Sequence, residues 1–123
     1  MSEIIREKDP RGVVVYCEES QWENHIVLNH ALMSGNEKAV AETIAEPMTI
    51  FESHDSDPPM DYREIYCKET PSATYYSKGL RFTKVVVSTL GGSGEVVTAF
   101  PSKSSTGGSI GDAIYIDDEQ ISN

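Results

Sequence analysis

At 123 residues with 38% hydrophobic content, the chain is long enough for a single domain that buries a core without disulfide or metal staples. Its formal net charge of −10 argues against a general nucleic-acid binder, because neutralising phosphates takes Lys and Arg. The opening MSEIIREKDPRG is charged, without the apolar run of a signal peptide, and no stretch is long enough to span a bilayer, so a cytoplasmic protein with no membrane contact is expected.

Residues 1–12 read as a polar lead, and the β-branched run from Val13 to Cys17 as a short strand or extended arm. The stretch from Ser20 to Pro47 carries the clearest helix signals. Ser20 and Glu23 have the spacing of a capping box. At about 100° per residue, Trp22, Ile26 and Met33 share a narrow arc that faces the core. His25 and His30 are five residues apart, about 140° of helical rotation, and so flank that arc on opposite sides instead of holding one metal together. Gly35 ends the first helix, Asn36 caps a second with an apolar stripe of Val40 and Ile44, and Pro47 stops it near Ala45. A helical hairpin is the expected result.

Met48 to Ser53 reads as a strand, and His54 to Asp61, with two prolines and three aspartates, as a loop. Asp61 to Glu69 alternates, with Tyr62, Glu64, Tyr66 and Lys68 on one face and Arg63, Ile65 and Cys67 on the other. Leu80 to Leu90 is the longest strand candidate; Gly91 to Gly94 turns the chain, and Glu95 to Phe100 returns as its antiparallel neighbour. The small polar run over 102–112 is expected to be flexible, Ala113 to Ile116 to form a final short strand, and 117–123 to be an acidic tail. Together these elements predict one α+β domain, its core at 20–101: an N-terminal helical hairpin packed on one face of an antiparallel β-sheet of four or five strands. The other sheet face stays partly open, a place for substrate.

Cys17 and Cys67, with no CxxC pair, read as reduced thiols. The glycines at 91–94 are followed by neither Lys-Ser nor a helix pattern, so they are not a phosphate cradle. No HExxH motif is present, the Gly-x-Ser-x-Gly string at 107–111 lies in the small polar run and not in a strand-to-helix elbow, and neither metal nor cofactor is expected. What remains is a set of proton-transfer and cationic side chains: His25, His30, Arg63, Tyr66, Lys68 and Thr98. Taken singly, each is an ordinary packing, capping or strand residue. As a set they suit metal-free RNA cleavage, which needs a base for the 2′-hydroxyl, an acid for the leaving oxygen and donors for the charged phosphorane. Between Arg63 and Lys103 six basic residues face three acidic ones, leaving −13 on the remainder of the chain. Clustering of those cations would place a positive site on an acidic body.

The order Trp22-x-x-His25-Ile26, His30, Thr43-Ile44-x-x-Pro47, Ile50, Arg63-x-x-Tyr66, Val85-Val86-Val87 and Val97-Thr98-Ala99-Phe100 resembles the phage-type branch of the barnase, EndoU, colicin and RelE-like nuclease superfamily. The resemblance covers about residues 20–101. It implies N-terminal helices against a four-stranded antiparallel sheet and a metal-independent ribonuclease acting in toxin or phage-associated settings. Position by position it points to His25, Arg63, Tyr66 and Thr98, with His30 next. His25 is then the general acid or base and Arg63 the phosphate clamp; Tyr66 and Thr98 position the phosphate or leaving oxygen, with Lys68 or Lys103 assisting. The expected partner is RNA. The alternative from a different class is a non-catalytic module of immunity or antitoxin type, or an inactive nuclease-fold member, whose acidic face binds a basic protein.

Overall fold

The computed structural model describes residues 2–53, 62–106 and 110–121. The loop read from sequence at His54 to Asp61 therefore lies outside the described residues. The chain begins with a hairpin of β1 (Glu3–Lys8) and β2 (Val14–Glu18). Its turn is closed by the Asp9 amide donating to the Val13 carbonyl at 2.8 Å, and by Gly12 at φ +89°, a left-handed angle that a Cβ disfavours. Residues 3–8, read as polar lead, are thus an edge strand. Only Ile5 of that strand is buried, paired with Cys17 of β2.

A helical stretch follows, in pieces: α1 (Glu19–Gln21), a π turn (Trp22–Ile26), α2 (Val27–Asn29) and a 3₁₀ turn (Ala31–Met33). His30, at φ −136° and ψ 79°, breaks it. The anticipated capping box does not form; the N-cap is Glu18, with no side-chain hydrogen bond. Gly35, at φ +81°, makes the turn into α3 (Glu37–Ala45). Asn36 precedes that helix, but its side chain ties the chain to Thr74, accepting from the Thr74 amide at 3.0 Å and donating to its hydroxyl at 2.9 Å.

The remaining strands are β3 (Thr49–Ser53), β4 (Arg63–Glu69), β5 (Phe82–Ser88), β6 (Gly94–Ser102) and β7 (Ile110–Ile116), followed by a short α4 (Asp118–Ile121). They form one seven-stranded sheet in the order β1-β2-β6-β5-β4-β3-β7. Every neighbouring pair is antiparallel except β2 and β6, which run parallel where Val15 and Tyr16 meet Gly94 and Glu95. This corrects the fold expected from sequence. The sheet is mixed and seven-stranded where four or five antiparallel strands were expected, the N-terminus is strand, and the first arm of the helical hairpin is broken.

Trp22, Ile26, Met33, Val40 and Ile44 pack from the helical side against Val15, Ile50, Val85, Val87, Val96 and Ala99 of the sheet. Removing each such aliphatic side chain from water stabilises the fold by about 1.5–3 kcal/mol. Strand alternation sends Lys84 and Val86 to the opposite face, with their cross-strand partners Cys67 and Ile65. β7 pairs with β3 at the far edge, and the segment that leaves β6 runs onto that face as far as Thr106. Lys84, only 6% exposed, holds it there: Nζ donates to the Thr106 carbonyl at 3.1 Å. Among the described residues no helix is long and apolar enough to cross a membrane.

Candidate functional site

Cross-strand register defines the rows of side chains on the face away from the helices. One row runs Tyr16, Glu95, Ser88 and Arg63; the next runs Thr98, Val86, Ile65 and Phe51; a third runs Phe100, Lys84, Cys67 and Thr49. Arg63 and Thr98 therefore share this face, on strands separated only by β5, with roughly 10 Å of sheet between them. An extra residue on β6, Val97, opposite the Val86–Val87 step of β5, sets Thr98 in register with Val86, and such irregularities re-aim side chains. Arg63 is half-buried, and its Nε is fully enclosed with no acceptor among the described residues. A guanidinium offers five donors in a rigid fork, of which the structure leaves this one without a partner among the described residues.

Of the histidines, His30 reaches this face, at its β6 edge. The His30 ring lies 5.6 Å from the ring of Phe100, centre to centre, with Leu32 and Pro101 beside it. His25 is exposed on the π turn, and Asn29 Nδ2 donates to its carbonyl at 2.8 Å. The π turn packs on β6, where Gln21 Nε2 donates to the Val97 carbonyl at 2.6 Å. Single π turns occur disproportionately at functional sites.

Tyr66 is on the other face and fully buried. Three residues along a strand reverse the side, so Arg63 and Tyr66 cannot share a cleft. Its hydroxyl donates to Asp9 Oδ2 at 2.6 Å and accepts from Arg11 Nη2 at 3.0 Å. Arg11 also clasps Glu64, at 2.7 and 3.2 Å, and Asp9 Oδ2 at 2.7 Å. Burial opposes ionisation of Asp9, but hydrogen bonds from Tyr66, Arg11 and the Val13 amide outweigh it and hold the carboxyl below its ordinary value. Burial first, then the Asp9 contact, pushes the Tyr66 hydroxyl well up, so it stays a protonated donor. All the hydrogen-bonding groups here are matched, which marks the cluster as an anchor for the β1–β2 turn.

Lys68 also leaves the Arg63 face. Its Nζ donates to Gln120 Oε1 at 2.7 Å and lies 3.9 Å from Glu42. Lys103 is exposed, just beyond the end of β6. Of the residues expected to act together, the structure puts Arg63 and Thr98 on one face with His30 at its β6 edge, leaves His25 exposed on the π turn, and sends Tyr66 and Lys68 elsewhere. Sequence reasoning gave no role to Lys84, although its place between Thr83 and Val85 in an alternating strand already assigned it to the Arg63 side. It passed over the Asp9 and Arg11 turn, whose Asp-Pro-x-Gly pattern was the available signal.

Among the described residues no group of three or more His, Cys, Asp and Glu side chains is arranged to hold a metal ion. No protein-family model, curated protein or solved structure matches the chain.

Proposed function

We propose that this chain is an endoribonuclease that needs no metal, acting on the sheet face that carries Arg63 and Thr98. One imidazole of the His25 and His30 pair takes the proton from a ribose 2′-hydroxyl. The freed oxygen attacks the adjacent phosphorus, and the bond to the 5′-oxygen breaks as the second imidazole protonates it, leaving a 2′,3′-cyclic phosphate. Histidine suits both proton roles near neutrality. Arg63 binds the phosphate and the charge that builds on the phosphorane, Thr98 orients a phosphate oxygen, and Lys103 steers the chain of phosphates. Tyr66 takes no part in the chemistry and holds the turn beneath.

The observation that carries this reading is the enclosed Arg63 Nε with no acceptor among the described residues, on the face that also presents Thr98. With Nε out of solvent's reach, a phosphate would bind the outer Nη groups of the half-buried side chain. The sequence resemblance points to the same chemistry, although the four-stranded fold it implies is not the one found.

The test is labelled RNA incubated with purified protein in EDTA, beside Arg63→Ala, His25→Ala and His30→Ala. Cyclic-phosphate ends are expected from wild type, with at least a hundredfold loss in Arg63→Ala and in one or both histidine variants. No cleavage by wild type, or undiminished cleavage by Arg63→Ala, overturns the reading. If no RNA is cut and a basic protein co-purifies in equal amount, the acidic interaction module takes its place.

A further inference from the structure

On the same sheet face, at the end of β3, β4 and β5 away from Arg63, lies a cavity of about 380 Å³. Thr49, Phe51, Glu69 and Phe82 line its sheet side, Thr106 roofs it, and Ile121 of α4 closes one flank. Its size is at the lower end of small-molecule sites, enough for one ring system and too small for a peptide or an acyl chain. The roof is fixed by the Lys84 contact to the Thr106 carbonyl.

Two observations give this cavity a chemistry. Thr49 is 6% exposed, and its hydroxyl has no hydrogen-bond partner among the described residues. Native structures seldom leave such a group unmatched. Glu69 supplies the second: Oε2 accepts from Tyr76 at 3.0 Å and from Arg81 at 2.5 Å. A carboxylate accepts and does not donate. A cavity walled by two phenylalanines, with an unmatched hydroxyl and a carboxylate at its polar side, rejects phosphate and suits a flat neutral ring bearing N–H donors. Gln120, also in the wall, is already committed: Nε2 donates to the Glu46 carbonyl at 3.1 Å and to Asp117 at 2.8 Å, and Oε1 accepts from Lys68.

We propose that this cavity is a subsite for an amino-bearing nucleobase, stacked on Phe51 or Phe82, with its N–H groups on Thr49 and Glu69. As the base-recognition site of an RNA substrate it rests on the ribonuclease reading; as a binding site it stands by itself. Uracil lacks an exocyclic amino group and is the base it discriminates against.

The experiment titrates the intact protein with adenosine, guanosine, cytidine and uridine, following the Met48 and Ile121 methyl signals by NMR. Nucleosides carry no phosphate, so binding does not call on Arg63. At least one amino-bearing nucleoside is expected to shift both signals and to bind tenfold or more tighter than uridine. Thr49→Val, which keeps the shape and removes a hydroxyl with no partner, is expected to unfold at the wild-type midpoint or above while weakening that nucleoside tenfold. Arg63→Ala is expected to bind it as wild type does. Unmoved methyl signals with all four nucleosides, equal binding of uridine, or full affinity in Thr49→Val overturns the subsite. Nucleoside binding without RNA cleavage overturns the ribonuclease reading and leaves the subsite in place.

Discussion

The Tyr66 hydroxyl donates to Asp9 Oδ2 across 2.6 Å, joining the first turn of the chain to a central strand 57 residues later. Asp9 sits in the loop of an edge hairpin, and Tyr66 lies under the sheet, wholly out of solvent. Removing the phenol should therefore be felt in stability and not in chemistry. Tyr66→Phe is expected to lower unfolding free energy by about 1.5–3 kcal/mol, the usual worth of a hydrogen bond to a charged group. Urea unfolding measures the loss. RNA cleavage per folded molecule is expected to stay within about threefold of wild type, whereas a Tyr66 that touches substrate would lose far more.

Acid should attack the same contact. The Asp9 carboxyl is held below its ordinary value of 3.8 in the folded chain. A depressed folded value means that the stabilising contribution is complete above the unfolded value and disappears as pH falls through the folded one. Unfolding free energy is thus expected to drop below about pH 4, and Asp9→Asn to be less stable at pH 7 with a shallower fall in that range. Thermal unfolding from pH 2 to pH 7 reads both.

Gly94 is where the single parallel join is made. A Cβ there would lie 2.8 Å from Val15 Cγ2 and 2.9 Å from Val87 Cγ1, both on fully buried side chains. Neither valine has free space to give. Gly94→Ala is expected to destabilise by about 1–3 kcal/mol through overpacking, and to speed amide exchange in Val14–Glu18 more than in β4.

The two thiols should be silent. Burial pushes Cys17 up to about 12 and Cys67 up to about 11, Glu18 adding to the first and Lys84 partly offsetting the second. Thiolate is the reactive form. At pH 8 a thiol reagent is expected to label neither in the native protein, and two equivalents once urea unfolds it; labelling should track unfolding.

Much of this architecture was legible residue by residue. The Leu80 to Leu90 run, the Gly91 to Gly94 turn and the Gly35 and Pro47 limits of α3 follow from local rules, and the chain obeys them. The alternation of Asp61 to Glu69 already separated Arg63 from Tyr66. The misses have physical causes. Glu3–Lys8 is an edge strand with one buried side chain, so its pattern is mostly solvent-facing charge and imitates a disordered lead. The 100° wheel does not hold through Trp22–Ile26, because a π turn spaces its hydrogen bonds at i to i+5. The β2–β6 join brings Val15 beside Gly94, a separation that no local signal reports. The Thr49 cavity depends on a roof delivered by the residues that follow β6, and so does not exist in any one segment.

That late join also bears on synthesis. The β1–β2 hairpin leaves the ribosome before its partners: the strand that must flank it begins at Gly94 and the phenol that clamps its turn arrives at residue 66. Until β6 has emerged, the leading segment has only α3 packed on β1 and a water-exposed seam along β2. Assembly of this domain is thereby postponed until β6 has emerged, and a nascent chain stalled before Gly94 would present an open, unpaired strand to its surroundings.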